Sequence, residues 1–162
     1  MNLYTHIKRI FEYTTNMNQL QNMYSRHHQL VAIVTTTCDV NLKKSLEEMD
    51  ELSEKNYPMD MPDHCGRTGL YFAARSSKME IAERLLSYGA SPNVADDEGM
   101  TPLHIACCNG SLDMIKLLVD NGGFLFSIDK RGDTPFHWAV REERDAEIVA
   151  YLKTTMDNLQ QK

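Results

Sequence analysis

The sequence has few of the features that mark common functional classes. Its 162 residues contain no GxxxxGK[ST] or GxGxxG loop, and no serine or cysteine stands beside a recognisable base or oxyanion loop. Basic residues are the minority, with 17 Lys and Arg against 23 Asp and Glu, a net charge of −6 and both signs interspersed. We therefore expect neither an enzyme nor a nucleic-acid-binding protein.

Long apolar runs are also lacking. The first nine residues are followed by no apolar segment of signal-peptide type, and no run approaches the length of a membrane span. We therefore expect a soluble chain that works in the cytoplasm, the nucleus or both, without a membrane partner.

Cysteine is scarce and its spacing is not that of a disulfide framework. Cys107 and Cys108 are neighbours on a predicted helix, so their side chains diverge and a bridge between them is poorly placed. We expect reduced thiols, which suits a cytosolic or nuclear protein. The four cysteines are Cys38, Cys65, Cys107 and Cys108.

What the sequence does contain is a repeat with a step of 33 residues. Gly66, Gly99 and Gly132 follow one another at this interval. Such a step indicates one small folded unit that is copied and stacked. The same interval separates Thr68, Thr101 and Thr134; Ala73, Ala106 and Ala139; Ile115 and Ile148; and Gly89 and Gly122.

The clearest copy runs from Asp96 to Gly122. Thr101 can cap a helix that begins at Pro102, because a proline there gives up only an N–H that would have no partner. Gly99 suits a turn with positive φ, and Gly122 follows an apolar run where a helix C-terminal cap is needed. The predicted unit is one turn followed by two short antiparallel helices.

Residues Thr101 to Ala106 read Thr-Pro-Leu-His-Ile-Ala, which matches the core of the ankyrin repeat. In this motif and its step the chain resembles the ankyrin-repeat family over roughly Asp63 to Leu152. The resemblance implies an all-α fold, a solenoid of about four helix-turn-helix repeats, the first degenerate, with helical caps at both ends. It also gives His104 and His137 a structural role, in which the ring bonds to turn backbone.

The resemblance divides the chain into two parts. Residues 1–27 are an N-terminal helical cap or extension, and residues 28–162 are the repeat domain, with repeats at about 28–62, 63–95, 96–128 and 129–155 and a cap to 162. Leu3, Ile7 and Ile10 lie at helical spacing, and this helix either covers the open end of the stack or binds a partner. Pro58 and Pro62 predict a loop between the first two repeats.

Some residues depart from the family pattern. Gly69 replaces the proline that opens the first helix of repeat two, Tyr71 replaces the histidine, and Ser76-Ser77 stands where the family usually has a glycine between helices. In repeat three, Phe124 and Phe126 replace a polar turn. They are either packed into the base of the loop or exposed, and we expect burial, because sizeable exposed apolar patches are uncommon.

The histidines and cysteines also raise a metal hypothesis. A four-ligand zinc site needs two ligand pairs at suitable spacing, which His27-His28 and His64-Cys65 do not supply. We therefore expect no metal and no cofactor.

In the ankyrin architecture the turn tips and the exposed side of each first helix line a groove. Carried over by position, the candidates are mixed in charge, which suits a protein partner with alternating charge. The residue types most often found as interface anchors are Arg67, Tyr88, Met100 and Arg131. The candidates are His64, Cys65, Arg67, Arg75, Ser76 and Tyr88 in repeat two; Asp97, Glu98, Met100, Cys108, Asn109 and Asn121 in repeat three; and Lys130, Arg131, Asp133, Arg141 and Glu142 in repeat four.

A chain that is nearly all repeat array is expected to bind rather than to catalyse. We therefore expect a non-enzymatic protein-protein interaction module that acts as a regulatory subunit, adaptor or inhibitor. In size and repeat number the chain is similar to small ankyrin-type regulators of cell-cycle kinases, which makes a kinase or its activator the expected partner. The alternatives are an inhibitor of a Rel-type transcription factor and a passive scaffold that bridges two proteins.

Overall fold

The computed structural model describes residues 30, 31, 33–35, 41–142 and 145–160, and all regular structure in these residues is helical. The predicted N-terminal helix and Cys38 lie outside the described residues. After helical residues at 30, 31 and 33–35, the helices are α1 (Leu42–Glu54), α2 (Gly69–Arg75), α3 (Met79–Ser87), α4 (Pro102–Asn109), α5 (Leu112–Asp120), α6 (Pro135–Arg141) and α7 (Ala146–Gln160).

The helices form two layers that share one core. The first helices α2, α4 and α6 lie side by side, and each packs against the second helix of its own repeat, α3, α5 or α7. Ala73, Ala106 and Ala139, one on each first helix, are fully buried, and their small side chains suit this close packing. Because each repeat buries its apolar face against its neighbour, neighbouring repeats stabilise each other. The all-α prediction is confirmed.

The degenerate first repeat contributes to the same core. Leu30, Val34, Met49 and Leu52 are buried, and the segment that follows α1 buries Tyr57 and Met59. No helix covers residues 55–68, where Pro58 and Pro62 predicted a loop.

The second helix of repeat four and the predicted C-terminal cap are one continuous helix. α7 spans 15 residues, with Ile148 and Leu152 buried against the stack. Neither α7 nor any other helix in the described part of the chain has the length and apolarity that a membrane span needs.

The two phenylalanines of repeat three are exposed, so the predicted burial is wrong. Phe124 is 63% exposed and Phe126 is 48% exposed, whereas Leu125 between them is 3% exposed. The segment alternates, so Leu125 alone enters the core and the phenylalanines lie where repeat two has Ser91 and Asn93. They line an open apolar groove of about 540 Å³ together with Val119, Leu159 and neighbouring loop residues.

The exposure of Phe124 gives a direct stability test. We expect Phe124→Ser, which installs the residue of repeat two, to lower the free energy of unfolding by less than about 1 kcal/mol, as surface substitutions do. Leu125→Ala should cost about 2–5 kcal/mol because it leaves a cavity in the core. Urea unfolding measures both values. Equal costs for the two variants would contradict the observed alternation.

Ser77 makes the bend between α2 and α3 in a conformation that favours glycine. Its φ is +51°, and its counterpart 33 residues later is Gly110, with φ +73°. The same backbone bond closes both bends, since Lys78 N–H donates to the carbonyl of Ala73 and Ser111 N–H donates to that of Ala106. Repeat two therefore forms the family's bend without the family's glycine, at a cost in backbone strain.

We expect Ser77→Gly to raise the free energy of unfolding by about 0.5–1 kcal/mol, because relief of the left-handed strain exceeds the added entropy of the unfolded chain. Gly110→Ser is the matched reciprocal variant and should lower stability by a similar amount. Urea midpoints at constant m-value provide the measurement. A destabilised Ser77→Gly variant would show that the bend carries no strain.

Candidate protein-binding face

Three turns precede the first helices, and each is built around one aspartate. One carboxylate oxygen of Asp63, Asp96 or Asp129 accepts the backbone N–H groups two and four residues later, at 2.8–2.9 Å. The backbone N–H of each aspartate also donates to the carbonyl four residues later. The first turn (63–67), second turn (96–100) and third turn (129–133) therefore have the same shape.

Neighbouring turns are bonded to each other in the same way at each step. Asp97 N–H donates to the carbonyl of Cys65 at 2.9 Å, and Lys130 N–H donates to the carbonyl of Glu98 at 2.9 Å. A side chain at Gly66 would meet the second turn at 2.9 Å, and one at Gly99 would meet the third turn at 3.0 Å. The backbones approach so closely that only glycine fits.

The histidines of repeats three and four complete the helix caps. Thr101 N–H donates to His104 Nδ1 at 3.1 Å, and Thr134 N–H donates to His137 Nδ1 at 3.1 Å. Nε2 of His104 lies 3.2 Å from the carbonyl of Asp133 in the third turn. Because Nδ1 accepts, Nε2 carries the proton and donates to that carbonyl. The expected bond to turn backbone is confirmed for His104, whereas the hydrogen bonds of His137 are to Thr134 of its own helix cap.

Repeat two replaces this ring bond with a different contact. Thr68 still caps α2 by accepting Tyr71 N–H at 3.3 Å. Burial together with the charge of Asp96 in the second turn raises the pKa of the Tyr71 phenol. Tyr71 thus lies beside the turn of the next repeat, and both residues line one pocket.

An aromatic pocket of about 200 Å³ lies between the second and third turns. Its floor is apolar, since Met100 and Ile105 are each only 9% exposed. Trp138 forms one wall, and its indole N–H donates to the second carboxylate oxygen of Asp129 at 2.9 Å. The lining residues are Tyr71, Asp96, Glu98, Met100, Ile105, Asp129, Arg131 and Trp138.

Two arginines lie over the indole ring of Trp138. The guanidinium carbons of Arg131 and Arg141 are 5.7 and 5.1 Å from the ring centroid. Arg141 also donates to an Asp133 carboxylate oxygen at 2.6 Å. Trp138 was not among the candidates from the sequence, although its 33-residue register with Ile105 could have placed it next to the turns.

A family model described as "Ankyrin repeats (3 copies)" matches residues 40–125 and 70–161, which together cover more than half of the chain. The chain belongs to the ankyrin-repeat family. No curated protein matches it. The ankyrin repeats indicate a protein-protein interaction module, and we use the term binding face for the three turns and the exposed side of α2, α4 and α6.

Most of the candidates are exposed on this face of the ankyrin stack, but several already have a structural role. Arg67 donates from Nε and Nη2 to the same Asp63 oxygen, Oδ2, at 2.9 and 2.7 Å, and its guanidinium lies over Phe72. Asn109 donates to the carbonyl of Arg75 at 2.6 Å and so ties α4 to α2. The exposed candidates are His64, Arg75, Ser76, Asp97, Glu98, Asn109, Lys130, Arg131, Arg141 and Glu142; Cys65, Arg67, Cys108 and Asp133 are partly buried.

Three candidates lie elsewhere than predicted. Met100 is nearly buried and serves as the floor of the aromatic pocket, so it is no exposed anchor. Tyr88 and Asn121 follow the last residues of α3 and α5, on the second helices and away from the turns. The Tyr88 hydroxyl bonds to Asp50 of α1, which joins the first two repeats.

The first turn brings three possible metal ligands together, but the fold already uses one of them. Ligand atoms of Asp63, His64 and Cys65 lie within 4.8 Å of one another. Burial raises the pKa of the Asp63 carboxyl, but hydrogen bonds from the Arg67 side chain and from the Arg67 and Cys65 N–H groups outweigh it and lower the pKa overall. Both carboxylate oxygens therefore bind the turn and its arginine.

Burial lowers the pKa of His104, so the folded chain resists a proton that the unfolded chain takes up near its ordinary pKa of about 6.5. Neutral His104 therefore makes its full contribution to the free energy of unfolding above about pH 6.5, and this contribution is lost as the pH falls below that value. We expect His104→Gln to cost roughly 1–3 kcal/mol at pH 7.5 by leaving buried groups unpaired, and to flatten the pH dependence between 6.5 and 5.

Urea unfolding at several pH values tests this expectation, with the exposed His64→Gln as the control substitution. If wild type and His104→Gln lose stability in parallel over this range, the claim that His104 is neutral in the folded chain is contradicted.

Proposed function

We propose that this ankyrin protein is a non-enzymatic regulatory subunit, adaptor or inhibitor that holds a protein partner on its binding face. The observation that carries the proposal is the common bonding of the three turns. Because each turn bonds to the next in the same way, their tips form one rigid row, and a rigid surface loses little entropy when it binds. Side chains on this row that the fold does not use are available to a partner.

Those side chains alternate in charge along the face. Arg75 at the end of α2, Asp97 on the second turn and Arg131 on the third are exposed, and within the described part of the chain none of them forms an ion pair. By contrast, Arg67 and Arg141 are each paired with an aspartate of their own repeat. A partner segment with alternating charge would complement the unpaired set.

The groups that could serve catalysis are better explained by the fold. Cys107 is fully buried, and burial raises the pKa of its thiol to about 12, so it is no nucleophile at neutral pH. His104 is bonded at both ring nitrogens, and Asp63 and Asp129 close their turns. Because these side chains have structural roles in the fold, they support binding rather than catalysis as the function of the protein.

A cell-cycle kinase or its activator, in the cytoplasm or the nucleus, is the first partner class that we propose to test. A Rel-type transcription factor is the alternative partner. A scaffold is the alternative role, and it would hold two inert proteins at once, whereas a regulatory subunit would change the activity of one.

Charge reversal on the face tests the proposal. We expect Arg75→Glu to reduce capture of the partner by about tenfold, because the reversal replaces attraction with repulsion at the interface. Capture from the source cell, followed by mass spectrometry and a binding titration with the identified protein, gives the measurement.

Lys153→Glu changes the net charge equally at an exposed position on α7, outside the binding face, and should leave capture unchanged. If both variants lose the partner equally, or if neither does, the face is not the binding site.

A further inference from the structure

We propose that the aromatic pocket holds one basic side chain, a lysine or an arginine, of the protein partner. This inference rests on the proposed function and names the chemistry that its binding face recognises. The pocket volume of about 200 Å³ exceeds the cavity of about 150 Å³ that holds a benzene ring, so one long side chain fits.

The charge of the lining favours a cation. The pocket is lined by three carboxylates, Asp96, Glu98 and Asp129, and by one guanidinium, that of Arg131. Burial raises the pKa of Asp129, but the N–H of Asp133, the Trp138 indole and the N–H of Arg131 outweigh it and keep the carboxylate charged at neutral pH. Partial exclusion of water strengthens the attraction for an incoming cation and the repulsion of an anion.

The aromatic walls of the pocket also attract a cation. The ring of Trp138 is held by the bond from its indole N–H to Asp129, and the half-buried ring of Tyr71 lines the same pocket. The faces of such rings attract cations, and Arg131 and Arg141 already use the Trp138 ring in this way. The apolar floor of Met100 and Ile105 suits the methylene stem of a lysine or an arginine.

Arg131 is the side chain that an incoming cation would displace. Arg141 is held by Asp133, whereas Arg131 is exposed and has no carboxylate partner in the part of the chain that the structure describes. Glu98 pairs with Lys130 at 3.7 Å, but both side chains are mostly exposed, so this pair is weak. Glu98 can therefore turn to the charged end of a partner residue.

The only tryptophan of the chain lies in this pocket, so its indole N–H reports on occupancy directly. We expect N-acetyl-arginine amide, at millimolar concentrations, to shift the indole resonance of the ¹⁵N-labelled full chain saturably. N-acetyl-leucine amide should bind at least about tenfold more weakly, and N-acetyl-glutamate amide should give no shift, because the lining repels anions.

Three variants sharpen the test. Arg131→Gln should tighten arginine binding about threefold by removing the competing cation, and Glu98→Gln should weaken it about threefold, the size of an exposed ion-pair effect. Lys153→Gln is the control and should change nothing. The proposal is overturned if leucine amide binds as well as arginine amide, or if Arg131→Gln weakens arginine binding.

The two proposals fail separately. If arginine amide leaves the indole resonance unmoved while reversal of Arg75 still weakens partner capture, the face binds a protein but the pocket does not take a basic side chain. If arginine amide binds while reversal of Arg75 leaves capture intact, the pocket chemistry stands and the binding face is wrong.

Discussion

The rest of the molecule depends on the hydrogen bonds that one aspartate carboxylate accepts in each turn. A single oxygen of Asp96 accepts two backbone N–H groups, which fixes the turn in one conformation. The turn then presents Gly99 to the backbone of the next turn, and the capped first helix starts directly after it. Repetition of this bond at Asp63 and Asp129 sets the spacing of the stack and places the turn tips in one row.

Much of this arrangement could be predicted because it follows from residues that recur every 33 positions. Glycine at 66 and 99 and histidine at 104 predicted the turns, the helix starts and the structural role of the imidazole. What the sequence could not predict is how non-matching residues are accommodated. Ser77 takes the left-handed conformation of a glycine because the bonds on either side of it demand the bend.

The site was harder to predict than the fold for the same reason. Exposure depends on which neighbour a side chain meets, so Phe124 lies outward and Met100 inward despite their similar apolarity. Arginine is a residue type often found as an interface anchor, but Arg67 forms an ion pair with Asp63 in its own turn. The aromatic pocket combines Tyr71 from repeat two with Trp138 from repeat four, and only the stacked arrangement brings such distant residues together.

The proposed binding face consists of the groups that the fold itself does not use. Paired charges on this face stabilise the turns, and its unpaired charges and aromatic rings are the groups that we propose a partner contacts. Hydrogen-deuterium exchange on the complex of the full chain with its captured partner tests this claim most directly. The account predicts added protection in the three turns and in α2, α4 and α6. Protection confined to α3, α5 and α7, with unchanged exchange in the turns, would contradict it.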